Sequence, residues 1–310
     1  MAEHGYQAQD RHIIDYHIFE LPGIAPYPGG GLFRGPAPAL DRPYIACLGS
    51  AHTFGRFCKR PYPALLQERF GIGALNLGTG GASPTFCLEN ERLLEYTNNA
   101  KLAIVQVLSA RSQSNALFTI LDHGMHGTRL SDNTTLSADE FYEDLLRTAS
   151  VEQVKQVVQE TRDKYVQNMI ALLHRITCPT ILFWFAVRTP AYQEKYDIPF
   201  WKLFGSFPQL VNQEMVDAMR PHADRYVQVV SSAGLPQKLY DRSGRSTTVS
   251  LDPKVRDTKA PEQETNGYYP SPEMHEIAAR TLNRPCVDLL RSSQIPRRRW
   301  HWRNWWPLMR

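Results

Sequence analysis

Four short blocks of this 310-residue chain hold the residue types from which acyl-transfer or oxyanion-binding sites are built. They are Gly49-Ser50-Ala51-His52-Thr53-Phe54-Gly55, Asn76-Leu77-Gly78-Thr79-Gly80-Gly81, Ser109-Ala110-Arg111-Ser112-Gln113-Ser114-Asn115, and the stretch from Asn266 to His275. A serine hydroxyl attacks an acyl carbon when an imidazole takes its proton and nearby donors hold the oxyanion that forms. Ser50 could be that nucleophile, His275 or His52 the base, and Gly81 and Asn115 the oxyanion donors. The same blocks admit binding without reaction. Glycine-rich turns before helices present amide donors, so Gly49, Thr53, Asn76 and Gly78 could receive a phosphate, sulfate or carboxylate, with the planar fork of Arg111 as charged partner. A third reading is structural: Ser50 and Thr53 satisfy backbone groups in a tight turn, the glycines make close turns, and His275 packs on a helix.

The surrounding pattern says what positions these blocks. Tyr44–Leu48, Ala74–Leu77, Leu102–Leu108, Thr180–Val187 and Tyr226–Val230 are short apolar runs of the kind that become buried parallel strands. Between them, Pro61–Phe70, Leu88–Asn99 and Pro208–Met219 read as helices. Ser150 and Gln153 have capping-box spacing, and Val154, Val157, Val158, Tyr165, Met169, Leu172, Leu173 and Ile176 repeat behind them at helical intervals. Residues 122–138 read as a polar loop over a site. Strands alternating with helices imply an α/β fold with a mostly parallel sheet. In such sheets the ligand crevice lies outside the carboxyl ends of the strands, where the first three blocks fall.

These blocks, in this order over residues 44–282, resemble the SGNH/GDSL hydrolase superfamily. The resemblance implies a flavodoxin-like three-layer α/β/α sandwich and esterase or acyl-transfer activity on an esterified carbohydrate or small molecule. Gly49–Gly55 resembles the family's Gly-Asp-Ser block, Asn76–Gly81 its oxyanion-glycine block, and Asn266–His275 its final Asp-x-x-His block. The opening from Arg34 to Phe57, taken with Asn76–Gly81 and Val105–Asn115, is similar to a bacterial protein family with no established activity. Four departures qualify the match. The nucleophile position is Ala51, the third block's asparagine falls at Ala110, and the final Asp and His fall at Asn266 and Tyr269. An esterase on this scaffold therefore needs a rebuilt set drawn from Ser50, His52, Gly81, Asn115 and His275. A non-catalytic binding or scaffolding protein needs only the crevice.

Composition sets the outer limits. The apolar fraction of 42% and charged fraction of 21% are those of a folded globular chain. No stretch approaches the ~20 apolar residues of a membrane span, and no apolar signal core opens the chain, so it reads as cytoplasmic. Residues 1–43 form a Pro/Gly-rich N-terminal arm, 44–290 the α/β domain, and 291–310 a tail with six arginines and no acid. The five cysteines are scattered and read as buried free thiols. His123 and His126, with Asp122 and His174 elsewhere, do not define a metal site. Neither glycine block is a Walker or dinucleotide fingerprint, so no cofactor is expected. In the tail, Arg297, Arg298, Arg299, Trp300, Trp302, Trp305 and Trp306 suit a protein groove or an anionic membrane surface, or cation–π packing on the tail's own domain. Nucleic acid ranks last, because the body carries no basic patch in sequence.

Overall fold

The computed structural model describes residues 6–24, 32–122, 126–250 and 262–292. The chain opens with α1 (Tyr6–Asp10), β1 (Ile18–Glu20), β2 (Leu32–Arg34), β3 (Tyr44–Gly49), α2 (Ala51–Phe54), α3 (Tyr62–Phe70) and β4 (Gly73–Gly78). It continues through α4 (Pro84–Glu89), α5 (Glu91–Asn98), β5 (Leu102–Gln106), β6 (Phe118–Asp122), β7 (His126–Arg129), β8 (Thr134–Ser137), α6 (Ala138–Thr148) and α7 (Val151–Arg175). It ends with β9 (Thr180–Ala186), α8 (Trp201–Phe204), α9 (Gln213–Met219), β10 (Arg225–Val230) and α10 (Pro272–Ser292).

Every residue of β3, β5 and β9 is buried, as in strands covered on both faces. The parallel strands stand in the order β4-β3-β5-β9-β10, and β2 then β1 extend the β4 edge antiparallel. Successive side chains take opposite faces. Ala46, Leu48, Val105, Leu182 and Trp184 pack with Val154, Val158 and Tyr165 of α7. Ile45, Cys47, Ile104, Phe183 and Phe185 pack with Leu65 and Leu66 of α3 and Ala278 and Leu282 of α10. This is a three-layer α/β/α fold with a mostly parallel sheet. α7 carries both halves of its capping box, and all five cysteines are buried and free.

Several local expectations change. Within the expected polar loop 122–138, residues 126–137 are instead a hairpin of β7 and β8 that pairs with β6. Its turn uses Asn133 at φ 56°, a left-handed position that asparagine tolerates. The helix expected over Leu88–Asn99 is two, because Ser83 caps α4 and Asn90 restarts the chain by capping Leu93 N of α5. The helix expected from Pro208 begins at Gln213, where the Asn212 side chain accepts from Met215 N. The described part of the N-terminal arm is tied to the sheet. Arg34 of β2 pairs with Asn76, and its guanidinium donates to the carbonyls of Phe54, Gly55, Cys58 and Lys59. The arm thereby fixes the turn that follows α2.

Candidate functional site

The strand order reverses between β3 and β5, since the chain leaves β3 toward β4 and leaves β5 toward β9. A crevice is expected at that point. Ser50 follows β3 at φ −90° and ψ −163° and caps α2, accepting from His52 N at 3.3 Å. The short helix ends at Gly55 in the left-handed region, φ 80°, where the Cβ of any other residue is strained. α2 then presents its side chains in different directions.

Thr53 points inward. Its hydroxyl donates to Gln106 Oε1 at 2.8 Å, and the same oxygen accepts from Ser50 N at 2.9 Å and Ser50 Oγ at 3.2 Å. Gln106 is the one polar residue of β5. It holds the turn by a single carbonyl oxygen, while its Nε2 is buried without a partner. Gly49 allows this closeness, because a Cβ there would lie 2.0 Å from Thr53 Oγ1 and 2.5 Å from Gln106 Oε1.

Ala51 and Phe54 turn toward the N-terminal arm and pack in a cluster with Ile13, Tyr16, Phe57 and Tyr269, against which Tyr6 lies. The Tyr6 ring stands 5.3 Å from Phe54 and 6.2 Å from Tyr269, and a Cβ on Gly80 would meet its hydroxyl at 2.6 Å. Arg56 binds this layer together. It donates to Asp10 at 2.7 and 2.9 Å and to Tyr269 Oη at 3.0 Å, and its guanidinium faces the Tyr6, Phe57 and Tyr269 rings. Both charges are 0–1% exposed. Burial works against the Arg56 cation, but the bonded Asp10 carboxylate more than restores it, so its pKa stands above the ordinary value. The position that resembles a nucleophile thus sits under an aromatic roof.

His52 turns the other way, stacking on Phe207 with ring centroids 3.8 Å apart and meeting Tyr268 edge-on at 5.5 Å. Burial alone pushes its pKa down to about 3, which makes it a neutral hydrogen-bonding group and a weak base near neutral pH. It lines a cavity of about 330 Å³ with Arg111, Asp139, Gln209, Tyr268 and the aromatic wall of Phe200, Trp201 and Phe204. Arg111 Nη1 donates to Asp139 Oδ1 at 2.6 Å, both side chains part-exposed. Gln209 Nε2 donates to Tyr268 Oη at 3.0 Å, and Gln209 Oε1 is buried without a partner.

The residues proposed as a rebuilt catalytic set are not brought together. The Ser50 hydroxyl bonds Gln106 and the His52 backbone, with no hydrogen bond to an imidazole nitrogen. His275 is fully buried, and its Nδ1 accepts from Tyr62 N at 3.1 Å, so the neutral ring carries its proton on Nε2, which has no partner. Burial first, then Arg34 and His52, push its pKa down to about 3. No carboxylate bonds this ring. Asn115 shapes the turn before β6, its Oδ1 accepting from Leu117 N and Phe118 N and its Nδ2 donating to Thr161 Oγ1. Gly81 occupies a turn at φ 73°.

The proposed anion cradle is likewise spent internally. Gly78 N donates to Asn76 Oδ1 and Thr79 N to Gly49 O, while Asn76 Nδ2 holds Thr53 O. Asn266 acts as a turn former, its Oδ1 accepting from Tyr268 N and Tyr269 N. Arg111 reaches the crevice, but paired with Asp139. Among the described residues no cluster of three or more metal-ligating side chains occurs, and His174 pairs with His222 at 2.8 Å. No described helix is long and apolar enough to cross a membrane. His123 and the tail residues Arg297 to Trp306 lie outside the described residues.

Sequence reading missed Asp139, Gln209 and Tyr268 as crevice residues, and Tyr6, Asp10 and Arg56 as the roof over Ala51. Gln106 did carry a signal, as a lone polar residue in an apolar strand.

A family described as a domain of unknown function (DUF6473) matches residues 25–135 and 140–290. No curated protein matches the chain. Among solved structures, one of a G-D-S-L family protein from Desulfitobacterium hafniense DCB-2 is 14% identical, covering 78% of this chain and 98% of that one at a TM-score of 0.33. An acetylxylan esterase from Geobacillus stearothermophilus, in two catalytic mutants, is 13% and 12% identical. Both cover 78% of this chain and 93% of theirs, at TM-scores of 0.34 and 0.35. A likeness at that level transfers no residue role.

Proposed function

We propose that this chain, which belongs to the family described as a domain of unknown function (DUF6473), binds a small molecule in the His52–Arg111 crevice without turning it over. One observation carries the reading. The Ser50 hydroxyl, next in sequence to the resembling nucleophile position, is engaged by Gln106 and a backbone amide, while an open cavity lined by Arg111, Asp139 and aromatic side chains reaches the neighbouring His52. A hydroxyl without a base is a poor nucleophile. The cavity's aromatic walls and few polar groups are those of a small-ligand site.

Two measurements test this. Hydrolysis of short-chain aryl esters by the wild type should be no faster than by Ser50→Ala. Turnover lost in Ser50→Ala would establish the hydrolase with a shifted nucleophile instead. In ligand-observed NMR with a fragment set, the wild type should bind and Gly267→Phe should not. Gly267 lines the cavity at an exposed position with nothing within 4 Å of a Cβ there, so a ring added at this edge meets no atom close to its Cβ and is expected to obstruct the crevice.

A further inference from the structure

We infer that the ligand of this crevice is a zwitterionic α-amino acid with a bulky apolar side chain, an assignment that rests on the crevice reading above. The cavity holds one cation and one anion, Arg111 and Asp139, joined by a single hydrogen bond from Nη1 to Oδ1. A guanidinium offers five N–H donors and a carboxylate two acceptor oxygens, so each keeps an unused edge. Their side chains are 28% and 36% exposed, enough to meet a ligand. Much of the remaining wall is apolar or aromatic, from Phe200, Trp201, Phe204, Phe207, Val187 and Met274, beside the polar His52, Ser206, Gln209 and Tyr268.

The ligand that satisfies this set carries both charges on adjacent atoms. Its carboxylate takes the free edge of Arg111. Its ammonium donates to Asp139, and its side chain lies against the aromatic wall. A simple anion would face Arg111 but also the Asp139 carboxylate, and like charges at close range repel. An uncharged sugar could hydrogen-bond both groups through its hydroxyls but would bring no charge to either. The volume of about 330 Å³ is at the small end for ligand pockets, which suits one amino acid rather than a longer chain.

The test is calorimetric titration of the wild-type protein with L-phenylalanine, 3-phenylpropionate, which lacks the ammonium, and phenethylamine, which lacks the carboxylate. L-Phenylalanine should saturate one site, and each truncated analogue should bind roughly tenfold or more weakly, since a lost charged hydrogen bond leaves its partner unmet. Asp139→Asn should narrow the gap between L-phenylalanine and 3-phenylpropionate, a readout that a merely loosened pocket would not give, and Gly267→Phe should abolish all three. Equal affinity for L-phenylalanine and either analogue overturns the assignment. So does fragment binding that Gly267→Phe blocks while L-phenylalanine never binds, an outcome that leaves the crevice reading standing. Absence of any binding sensitive to Gly267→Phe overturns both.

Discussion

His275 gives the sharpest test of how this interior is assembled. Its ring and that of His52 are held neutral in the core, each with its pKa lowered from 6.5 to about 3. An unfolded chain takes up a proton on each ring below pH 6.5, while the folded chain does so only near pH 3, so the unfolded state binds more protons throughout that interval. Stability therefore falls as the pH drops from about 6.5 toward 3 and is unaffected by these groups above it. Each histidine contributes roughly 1.4 kcal/mol per pH unit. At pH 5 the pair has removed about 4 kcal/mol, much of the ~5–15 kcal/mol that holds a typical domain. His275→Gln keeps an acceptor for Tyr62 N but cannot titrate. Urea unfolding at pH 7.5 and pH 5 should show the wild type losing about 2 kcal/mol more than the variant, with unchanged slopes in denaturant. Equal losses in both proteins would mean that His275 is charged or solvated in the folded state, and the account of its burial would be wrong.

Two further substitutions probe the turn and its roof. Asp10→Asn leaves the Arg56 cation, 1% exposed, without a counter-charge and should cost about 3–5 kcal/mol, whereas replacing Asp10 and Arg56 together by Leu and Met should recover much of it. Thermal unfolding of the single and double variants reads the difference. Gln106→Leu removes the acceptor of Ser50 N, Ser50 Oγ and Thr53 Oγ1, leaving Thr53 Oγ1 with Tyr62 Oη and Ser50 Oγ with His52 N, and should destabilise by at least ~2 kcal/mol in urea unfolding.

The sheet was legible because β3, β5 and β9 are near-continuous apolar runs between turn residues, a pattern set by burial on both faces. The helix α7 was legible from its cap and its periodicity. What escaped were features decided by contacts between distant segments. Arg34 belongs to a Pro/Gly-rich stretch whose composition argues against a strand, yet it finds an edge at Asn76 and four carbonyls to bind. Asp10 and Arg56 are 46 residues apart, and nothing local announces that their charges are buried together. Residues 126–137 were misread because Thr128, Thr134 and Thr135 look like loop polarity, although they are β-branched and flank a hairpin turn. The Gly-Ser turn after β3 was located correctly, but which way Ser50, Ala51 and His52 face depends on α2 being a short helix, in which consecutive side chains diverge by about 100°.

That divergence explains how one segment can keep a crevice while its position resembling a nucleophile lies elsewhere. Consecutive residues of α2 cannot all face one site: Ala51 goes to the aromatic layer under Tyr6 and Tyr269, His52 to the Phe207 wall, and Thr53 to Gln106. A serine introduced at Ala51 would place its hydroxyl in the cluster with Phe54, Tyr269 and Tyr6. That roof is tied down through the Tyr269 hydroxyl, which accepts from Arg56. Breaking that tie would loosen the Arg56–Asp10 pair and with it α1. The cavity shares His52 with this turn, and Tyr268 joins it to Tyr269, but its charged pair and most of its aromatic wall come from the segments after β5, β8 and β9. Binding at that charged pair would therefore not require the chemistry that the β3 turn resembles.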